Sequence, residues 1–195
     1  MPPRTSQEQF NRQAAHYNAE WNVWNTQSLE WLMRRARCQP SYRLLDVATG
    51  TGFTALAFAA RVAEVVGVDV SDRMLDHARA RAREAGRANV FFENAPAEDL
   101  PFPPSSFDVV TSRVAPHHFL SIPKFVAEAF RVLRPNGRLL VADTCTPDGA
   151  PEVDAWHNHV EVLRDPSHVR NYTPSEWREF VTAASFVVEE LEPVL

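Results

Sequence analysis

The sequence predicts an α/β fold, a doubly wound and mostly parallel sheet with helices on both faces and an N-terminal helical cap. Short apolar runs recur between helical stretches and do not alternate with polar residues, which is typical of strands that are covered on both faces. Five of the 6 glycines lie at the turns or strand ends between these elements. Ligands bind beyond the carboxyl ends of the strands in such sheets, so the residues that follow each strand are the candidate site.

Residues 1–36 are predicted to form the cap and residues 37–195 the sheet domain. Helical spacing of Phe10, Ala14 and Tyr17 predicts helices in the cap. We expect it to close over the site as a lid that becomes ordered when ligand binds.

The strands are predicted from the apolar runs, and the helices from their caps and turns. Ser71 and Ser121 are predicted N-caps, and Thr173-Pro-Ser-Glu176 is a predicted capping box. Gly86 is a typical left-handed helix stop, and Asn136-Gly137 is a predicted turn into the fifth strand. The predicted strands are residues 43–47, 64–69, 89–93, 107–111, 138–143 and 186–191, and the predicted helices begin near residues 53, 72, 122, 152 and 174.

Composition excludes several classes of protein. The 195 residues are 45% hydrophobic and 23% charged, which indicates one folded domain. A net charge of −5 argues against a nucleic-acid groove. Cys38 and Cys145 lie far apart, so neither a disulfide framework nor a cysteine zinc site is predicted. With no apolar leader and no apolar run long enough to span a membrane, we expect a cytoplasmic protein.

The loop after the first strand fits two cofactors. Gly50-x-Gly52-x-x-Ala55 matches the dinucleotide fingerprint, and Asp69 could hold the ribose of either NAD or S-adenosylmethionine. Asp46 would repel a pyrophosphate by roughly 4 kcal/mol at 4 Å and a dielectric of 20, but would attract the ammonium and sulfonium of S-adenosylmethionine. The alternative is that Asp46 only caps the next helix.

The segment Asp46-Val-Ala-Thr-Gly-Thr-Gly52 resembles motif I of the class I S-adenosylmethionine-dependent methyltransferases, which have a Rossmann-like fold. Further stretches match in order: Val65–Ser71, Ala97–Phe102, Ser106–Thr111 and Arg131–Gly137. Together they resemble the branch that contains the ubiquinone and menaquinone biosynthesis methyltransferases, which act on small molecules.

The resemblance implies a cofactor site made of Asp46, Ala48, Gly50, Gly52, Asp69, Met74, Ala97, Glu98 and Ser112. Asp46, Gly50 and Gly52 would line the methionine end, and Asp69 would accept the ribose hydroxyls. Met74 would pack on the adenine or belong to the core. Two positions depart from the family pattern. Ala48 replaces a glycine, and Pro96 replaces the aspartate that receives the adenine amino group, so backbone near Ala97 or another side chain would have to serve.

The loop after the fourth strand, residues 112–119, is where the family places groups near the transferred methyl. His117 and His118 are the acid/base candidates because imidazole titrates near neutral pH, the alternative being that they hold the loop. Arg113 could bind a carboxylate or form an ion pair, and Asp143 could orient the acceptor. The Pro-Pro-aromatic motif of DNA amino-methyltransferases is absent.

A metal is not predicted. His157 and His159 are two positions apart on a helix and do not face one direction. Ser112 also stands where metal-assisted O-methyltransferases have an acidic residue. Phe119, Trp156, Tyr172, Trp21 and Trp24 could roof an apolar acceptor pocket or belong to the core under the cap.

The predicted function is methyl transfer from S-adenosylmethionine to a small, apolar or aromatic acceptor. The alternatives are a nicotinamide-dependent oxidoreductase and an S-adenosylmethionine-binding protein without transferase activity. The family sheet has seven strands, but only four residues follow residue 191. We therefore expect six strands, or a shortened chain whose exposed sheet edge self-associates, which leaves a homodimer open.

Overall fold

The structure is a computed structural model that describes residues 5–13 and 26–193. Its centre is a five-stranded, all-parallel sheet in the order β3-β2-β1-β4-β5. The strands are β1 Arg43–Val47, β2 Glu64–Asp69, β3 Val90–Asn94, β4 Phe107–Arg113 and β5 Leu133–Ala142. The predicted doubly wound α/β fold is confirmed.

Seven α-helices lie within the described residues. They are α1 Ser6–Gln13, α2 Thr26–Arg35, α3 Phe53–Phe58, α4 Asp72–Glu84, α5 Ile122–Val132, α6 Pro151–Arg164 and α7 Pro174–Ala183. The predicted caps are present, since Ser71 accepts from the Met74 amide at 3.2 Å and Thr173 forms the capping box with Glu176. The predicted cap residues Ala14, Tyr17, Trp21 and Trp24 lie outside the described residues.

The sheet is buried on both faces, as its apolar runs predict. Leu32, Ala55 and Phe58 of α2 and α3 cover one face together with Leu44 and Val65 of the strands. On the other face, α5 and α7 contribute a second core that includes Ile122, Phe125, Val126, Ala129 and Trp177. Because both faces are covered, the strand ends are the part of the sheet that is open to a ligand.

The predicted turn at Asn136-Gly137 is an irregularity inside β5. Leu133 pairs with Phe107 and Arg138 pairs with Val109, so five steps along β5 oppose two along β4. Asn136 takes a left-handed φ of 66°, which asparagine tolerates better than most residues. The pairing register between β4 and β5 therefore changes at this bulge.

The predicted strand at residues 186–191 is wrong, and so is the expectation of six strands for the described residues. The segment has no ladder partner there and is held by side chains instead. Phe186 packs edge-on against Phe130 at 5.2 Å, and Glu189 binds Arg138 at 2.7 Å. Glu190 pairs with Arg35 of α2. This segment is therefore an irregular tail whose aromatic ring packs on α5 and whose acidic residues form ion pairs with arginines.

Candidate active site

A cavity of about 520 Å³ opens at the carboxyl ends of β1, β2 and β4. It lies where the strand order reverses between β1 and β4, which is the expected ligand position in this fold. Of the thirteen predicted site residues, nine line this cleft: Asp46, Ala48, Gly50, Asp69, Met74, Ala97, Glu98, Arg113 and His118. The other four, Gly52, Ser112, His117 and Asp143, are placed behind it.

Asp46 ends β1 with its carboxylate buried, only 1% of the residue being exposed. The hydroxyls of Thr49 and Thr111 donate to its two oxygens at 2.7 and 2.8 Å. Burial raises the pKa of Asp46 to about 6, against the lowering effect of those hydroxyls and of Arg113. A buried anion without a bonded cation is costly, so the site favours a ligand that brings positive charge.

Asp69 ends β2 and is held by backbone amides. Gly50 donates to Oδ2 and Ser71 to Oδ1, both at 2.9 Å. Burial raises the pKa of Asp69 above its ordinary value. One lone pair on each oxygen remains for a ligand, which suits a pair of neighbouring hydroxyls.

Gly52 serves packing. Its φ is +79°, and a Cβ would lie 3.0 Å from the Cβ of Ala78 and from the ring of Phe92. Gly50, in contrast, borders open space: its φ is +55°, and an added Cβ would meet no atom within 4 Å. The backbone can therefore approach a ligand at Gly50.

Two residues of the cleft wall that are not glycines have left-handed backbones. Ala48 has φ 56° and Val114 has φ 52°. A positive φ is a genuine outlier for a β-branched residue such as Val114, and strain of this kind clusters at ligand sites. Both residues directly follow strands, β1 and β4, that bring functional side chains to the cleft.

Arg113, at the end of β4, is fixed by neighbouring groups. Its Nε donates to Thr54 Oγ1 at 3.0 Å, a guanidinium nitrogen reaches Ser28 Oγ at 3.4 Å, and the guanidinium lies 5.4 Å from the ring centre of Phe53. It is a cation at the cleft whose field lowers the pKa of Asp46.

At the opposite end of the cleft, Pro96 and Ala97 line the wall together with Met74. The Glu98 carboxylate also lines it, but its Oε1 accepts from the amides of Leu120 and Ser121 at 2.8 and 3.3 Å. Those bonds tie Glu98 to the start of α5. Ser112, near the end of β4, is fully buried and does not line the cleft, and its hydroxyl has no partner among the described residues.

His117 lies in the 3-10 turn Pro116–His118 and is bound to Asp143 twice. Its backbone amide donates to Oδ2 at 2.7 Å, and its Nδ1 is 2.6 Å from Oδ1. Both side chains are buried, with 8% and 2% exposed. The His117 carbonyl also accepts from the amides of Val169 and Arg170. The pair therefore fixes the turn against the loop that follows α6.

His118 lines the cleft with its Nδ1 anchored on Ser167, 3.1 Å from the carbonyl oxygen and 3.2 Å from the hydroxyl. The Ser167 hydroxyl donates to Asp165 Oδ1 at 2.7 Å. Burial and the neighbouring His117 lower the pKa of His118 to about 4, so the ring is neutral at physiological pH.

Sequence reasoning missed the loop that carries Asp165 and Ser167. Its signal is the turn sequence Asp165-Pro-Ser167, in which the Asp carboxylate accepts from the Ser amide at 2.9 Å. His168 of the same loop contacts Asn158 at 3.0 Å, which joins the loop to α6. Only the folded chain shows that this loop crosses the turn at His118.

Helix α1 lies across the cleft. Ser6 Oγ donates to the His118 carbonyl at 3.2 Å, and the Phe10 ring meets the His118 ring edge-on at 4.9 Å. Ser71 Oγ donates to Asn11 Oδ1 at 2.8 Å. The helix therefore touches both the start of α4, near Asp69, and the turn after β4.

The predicted aromatic roof is only partly present. Phe119 lines the cleft, but Trp156 is 64% exposed on α6 and Tyr172 packs against Phe180 of α7. Trp21 and Trp24 lie outside the described residues. Within the described ranges, no three His, Cys, Asp or Glu side chains are arranged to hold a metal ion. Among those residues there is also no helix of the length and apolarity needed to cross a membrane.

Comparison with known proteins decides the family. Residues 45–141 match the family described as "Methyltransferase domain". The chain is 39% identical over 188 residues to the uncharacterized methyltransferase YcgJ of Bacillus subtilis, covering 96% of this chain and 74% of YcgJ. This chain belongs to the methyltransferase-domain family.

Solved structures support the same assignment of this methyltransferase. The crystal structure of Bacillus subtilis YcgJ is 43% identical and superimposes with a TM-score of 0.80 over 82% of this chain and 68% of that one.

The ubiquinone/menaquinone biosynthesis C-methyltransferase UbiE of Dinoroseobacter shibae is 43% identical over 124 residues, which are 62% of this chain and 48% of UbiE. The methyltransferase thus spans about half the length of this UbiE. Its predicted resemblance to this branch of S-adenosylmethionine-dependent enzymes is confirmed.

Proposed function

We propose that the cleft binds S-adenosylmethionine and that this methyltransferase moves its methyl group to a small, largely apolar acceptor. The observation that carries the proposal is the pair of strand-end carboxylates. Asp46 is a buried carboxylate that would face the cationic methionine end, and Asp69 is an amide-anchored carboxylate that would accept the ribose hydroxyls. S-adenosylmethionine supplies, when bound, a methyl group activated by its sulfonium.

The chain's own residues would fix the two reactants in line. Thr49 and Thr111 hold the Asp46 carboxylate, so its position is set before ligand binds. Met74 and Ala97 line the part of the cleft where the adenine would lie, and there backbone or another side chain would have to replace the family's aspartate because Pro96 occupies that position. Alignment of this kind can supply a large share of the rate of a displacement reaction.

The acceptor end of the cleft is mostly apolar. Its walls include Phe10, Val114, Phe119, Pro166 and Val169. Helix α1 covers this end, which supports its role as a lid that excludes water. The matching UbiE proteins are named for quinone biosynthesis, which favours an acceptor of similar polarity.

Calorimetric titration with S-adenosylhomocysteine tests the cofactor part. The wild type should bind it, and Asp69→Ala should lose binding because the ribose hydroxyls lose their acceptors. Asp76→Ala is the matched control, because Asp76 is an exposed carboxylate on the following helix α4 that pairs with Arg79 and does not line the cleft. Equal binding by wild type and Asp69→Ala would refute the assignment.

Transfer of tritiated methyl from S-adenosylmethionine into the small-molecule fraction of a heat-treated cell extract tests the acceptor part. We expect label in compounds that partition into an organic solvent. Label that stays only in macromolecules would contradict a small-molecule acceptor.

A further inference from the structure

We propose that Nε2 of His118 is the proton acceptor of the reaction, and that Asp165 and Ser167 set the tautomer that makes it one. This inference rests on the methyl transfer proposed above. It assigns the chemical role within the turn to His118, and assigns His117 with Asp143 to positioning.

The tautomer follows from hydrogen-bond directions. The Ser167 carbonyl, 3.1 Å from His118 Nδ1, can only accept a hydrogen bond. The Ser167 hydroxyl, 3.2 Å from the same nitrogen, uses its hydrogen on Asp165 Oδ1 at 2.7 Å, so it too can only accept from the ring. Nδ1 therefore carries the hydrogen, and Nε2 carries the lone pair.

Nε2 is the nitrogen available to a ligand. It has no hydrogen-bond partner among the described residues, while the ring lines the cleft next to Phe10 and Phe119. His117 differs because its Nδ1 and its backbone amide are both hydrogen-bonded to Asp143, and its ring does not line the cleft.

The surroundings keep the His118 ring neutral. Burial and the adjacent His117 ring, 4.2 Å away between centres, lower the pKa of His118 to about 4, while the Asp165 and Asp143 charges act in the opposite direction. The third ring, that of His168, lies 6.3 Å away, and burial lowers its pKa as well. The lone pair of Nε2 is thus present across the physiological pH range.

The step balances as follows. The acceptor loses its proton to Nε2 of His118 as its nucleophilic atom takes the methyl group, and the electron pair of the broken carbon–sulfur bond stays on sulfur. The positive charge moves from the sulfonium to the imidazolium, whose Nδ1–H still faces the Ser167 acceptors. The proton then leaves to solvent when the lid opens. A base of low pKa suits an acceptor whose attack runs ahead of proton loss, because the methylated acceptor is then a cation that gives up its proton readily.

Nitrogen-detected NMR of the histidine rings, in the complex with S-adenosylhomocysteine, tests the tautomer directly. A His118→Gln variant identifies the His118 signals. We expect the Nδ1–H tautomer and a neutral ring down to about pH 5 in the wild type, and a larger Nε2–H population in Asp165→Ala, where the Ser167 hydroxyl loses its acceptor and is free to donate to the ring. A wild-type ring with its hydrogen on Nε2 would overturn the proposal.

The extract assay tests the chemical role. His118→Gln should lower methyl transfer by about 10²–10⁴-fold, the usual effect of removing a general base, with S-adenosylhomocysteine affinity within a few-fold of wild type. His159→Gln, which changes an exposed histidine of α6, should transfer normally. Transfer by His118→Gln within a few-fold of wild type would refute this inference alone. A wild type that binds no S-adenosylhomocysteine would instead refute the proposed function.

Discussion

At the scale of single residues, the ionised form of Asp46 destabilises the folded protein, whereas binding of a cationic ligand is expected to require that form. The pKa of Asp46 is raised from 3.8 to about 6, so folding favours the protonated carboxyl relative to the unfolded chain, although the carboxylate predominates above pH 6. The stability that this group contributes is full below about pH 4 and is lost as pH rises through 6. At 1.36 kcal/mol per pH unit, ionised Asp46 costs the folded state about 3 kcal/mol at pH 8.

Asp46→Asn should therefore raise the free energy of unfolding of the ligand-free protein at pH 8, by up to about 3 kcal/mol, and abolish S-adenosylhomocysteine binding. In the wild type, the dissociation constant should increase about tenfold for each pH unit below 6, since the bound cation needs the carboxylate. Urea unfolding and calorimetry at several pH values measure both. An affinity that does not change between pH 5 and 8 would argue against ionised Asp46 as the partner of the cation.

Val114 carries backbone strain at the cleft wall. Val114→Gly should change the free energy of unfolding little, or raise it by about 1 kcal/mol. Glycine removes the backbone strain of a β-branched residue at φ 52°, and this gain offsets the loss of the side-chain contacts and the greater flexibility of the unfolded chain. Methyl transfer should fall, because the backbone between Arg113 and the turn at His118 is loosened. Val110→Gly is a contrasting change in the middle of β4, where the residue is fully buried, and should destabilise by several kcal/mol. A strongly destabilised Val114→Gly would show that packing outweighs strain.

At the scale of elements, the loop after α6 and the turn after β4 depend on the His117–Asp143 pair. Asp143→Ala leaves the His117 amide and ring nitrogen buried without their acceptor. Each buried donor that loses its acceptor costs about 1–3 kcal/mol. We expect a lower midpoint in urea and loss of hydrogen-exchange protection at residues 116–118 and 165–171. Unchanged protection there would show that the turn is held by other contacts.

Helix α1 is expected to act as the lid. Phe10→Ala removes the edge contact with His118, and Asn11→Ala removes the hydrogen bond to Ser71. Both changes should speed release of S-adenosylhomocysteine more than they lower the unfolding midpoint, because α1 adds little to the two cores. Arg12→Ala is the control on the exposed side of the same helix. Stopped-flow release rates equal to wild type for Phe10→Ala and Asn11→Ala would remove the lid role.

At the scale of the whole molecule, the sheet is largely predictable from the sequence and the acceptor wall is not. The strands at residues 43–47 and 64–69 and the caps at Ser71 and Thr173 follow from local rules, namely apolar runs and side chains that bond nearby amides. The tail at residues 186–191 fits a strand by its apolar content, but it pairs with no strand among the described residues and its acidic side chains meet distant arginines instead.

The candidate site also has one part that the sequence predicts and one part that only the folded structure shows. Asp46 and Asp69 reach the cleft because strand ends converge in any parallel sheet. The choice between His117 and His118 depends on Asp143 and Ser167, which are 26 and 49 positions away along the chain from their partners. No local pattern contains such a contact.

The measurement that tests the central claim most directly is thermal unfolding with S-adenosylhomocysteine and, separately, with NADH. At about 100 times its dissociation constant, S-adenosylhomocysteine should stabilise the wild type by roughly 2.7 kcal/mol, and Asp69→Ala should not respond. NADH at the same concentration should leave the unfolding temperature unchanged, because the Asp46 carboxylate is expected to repel a pyrophosphate bound at the loop after β1. Stabilisation by NADH without stabilisation by S-adenosylhomocysteine would contradict the account.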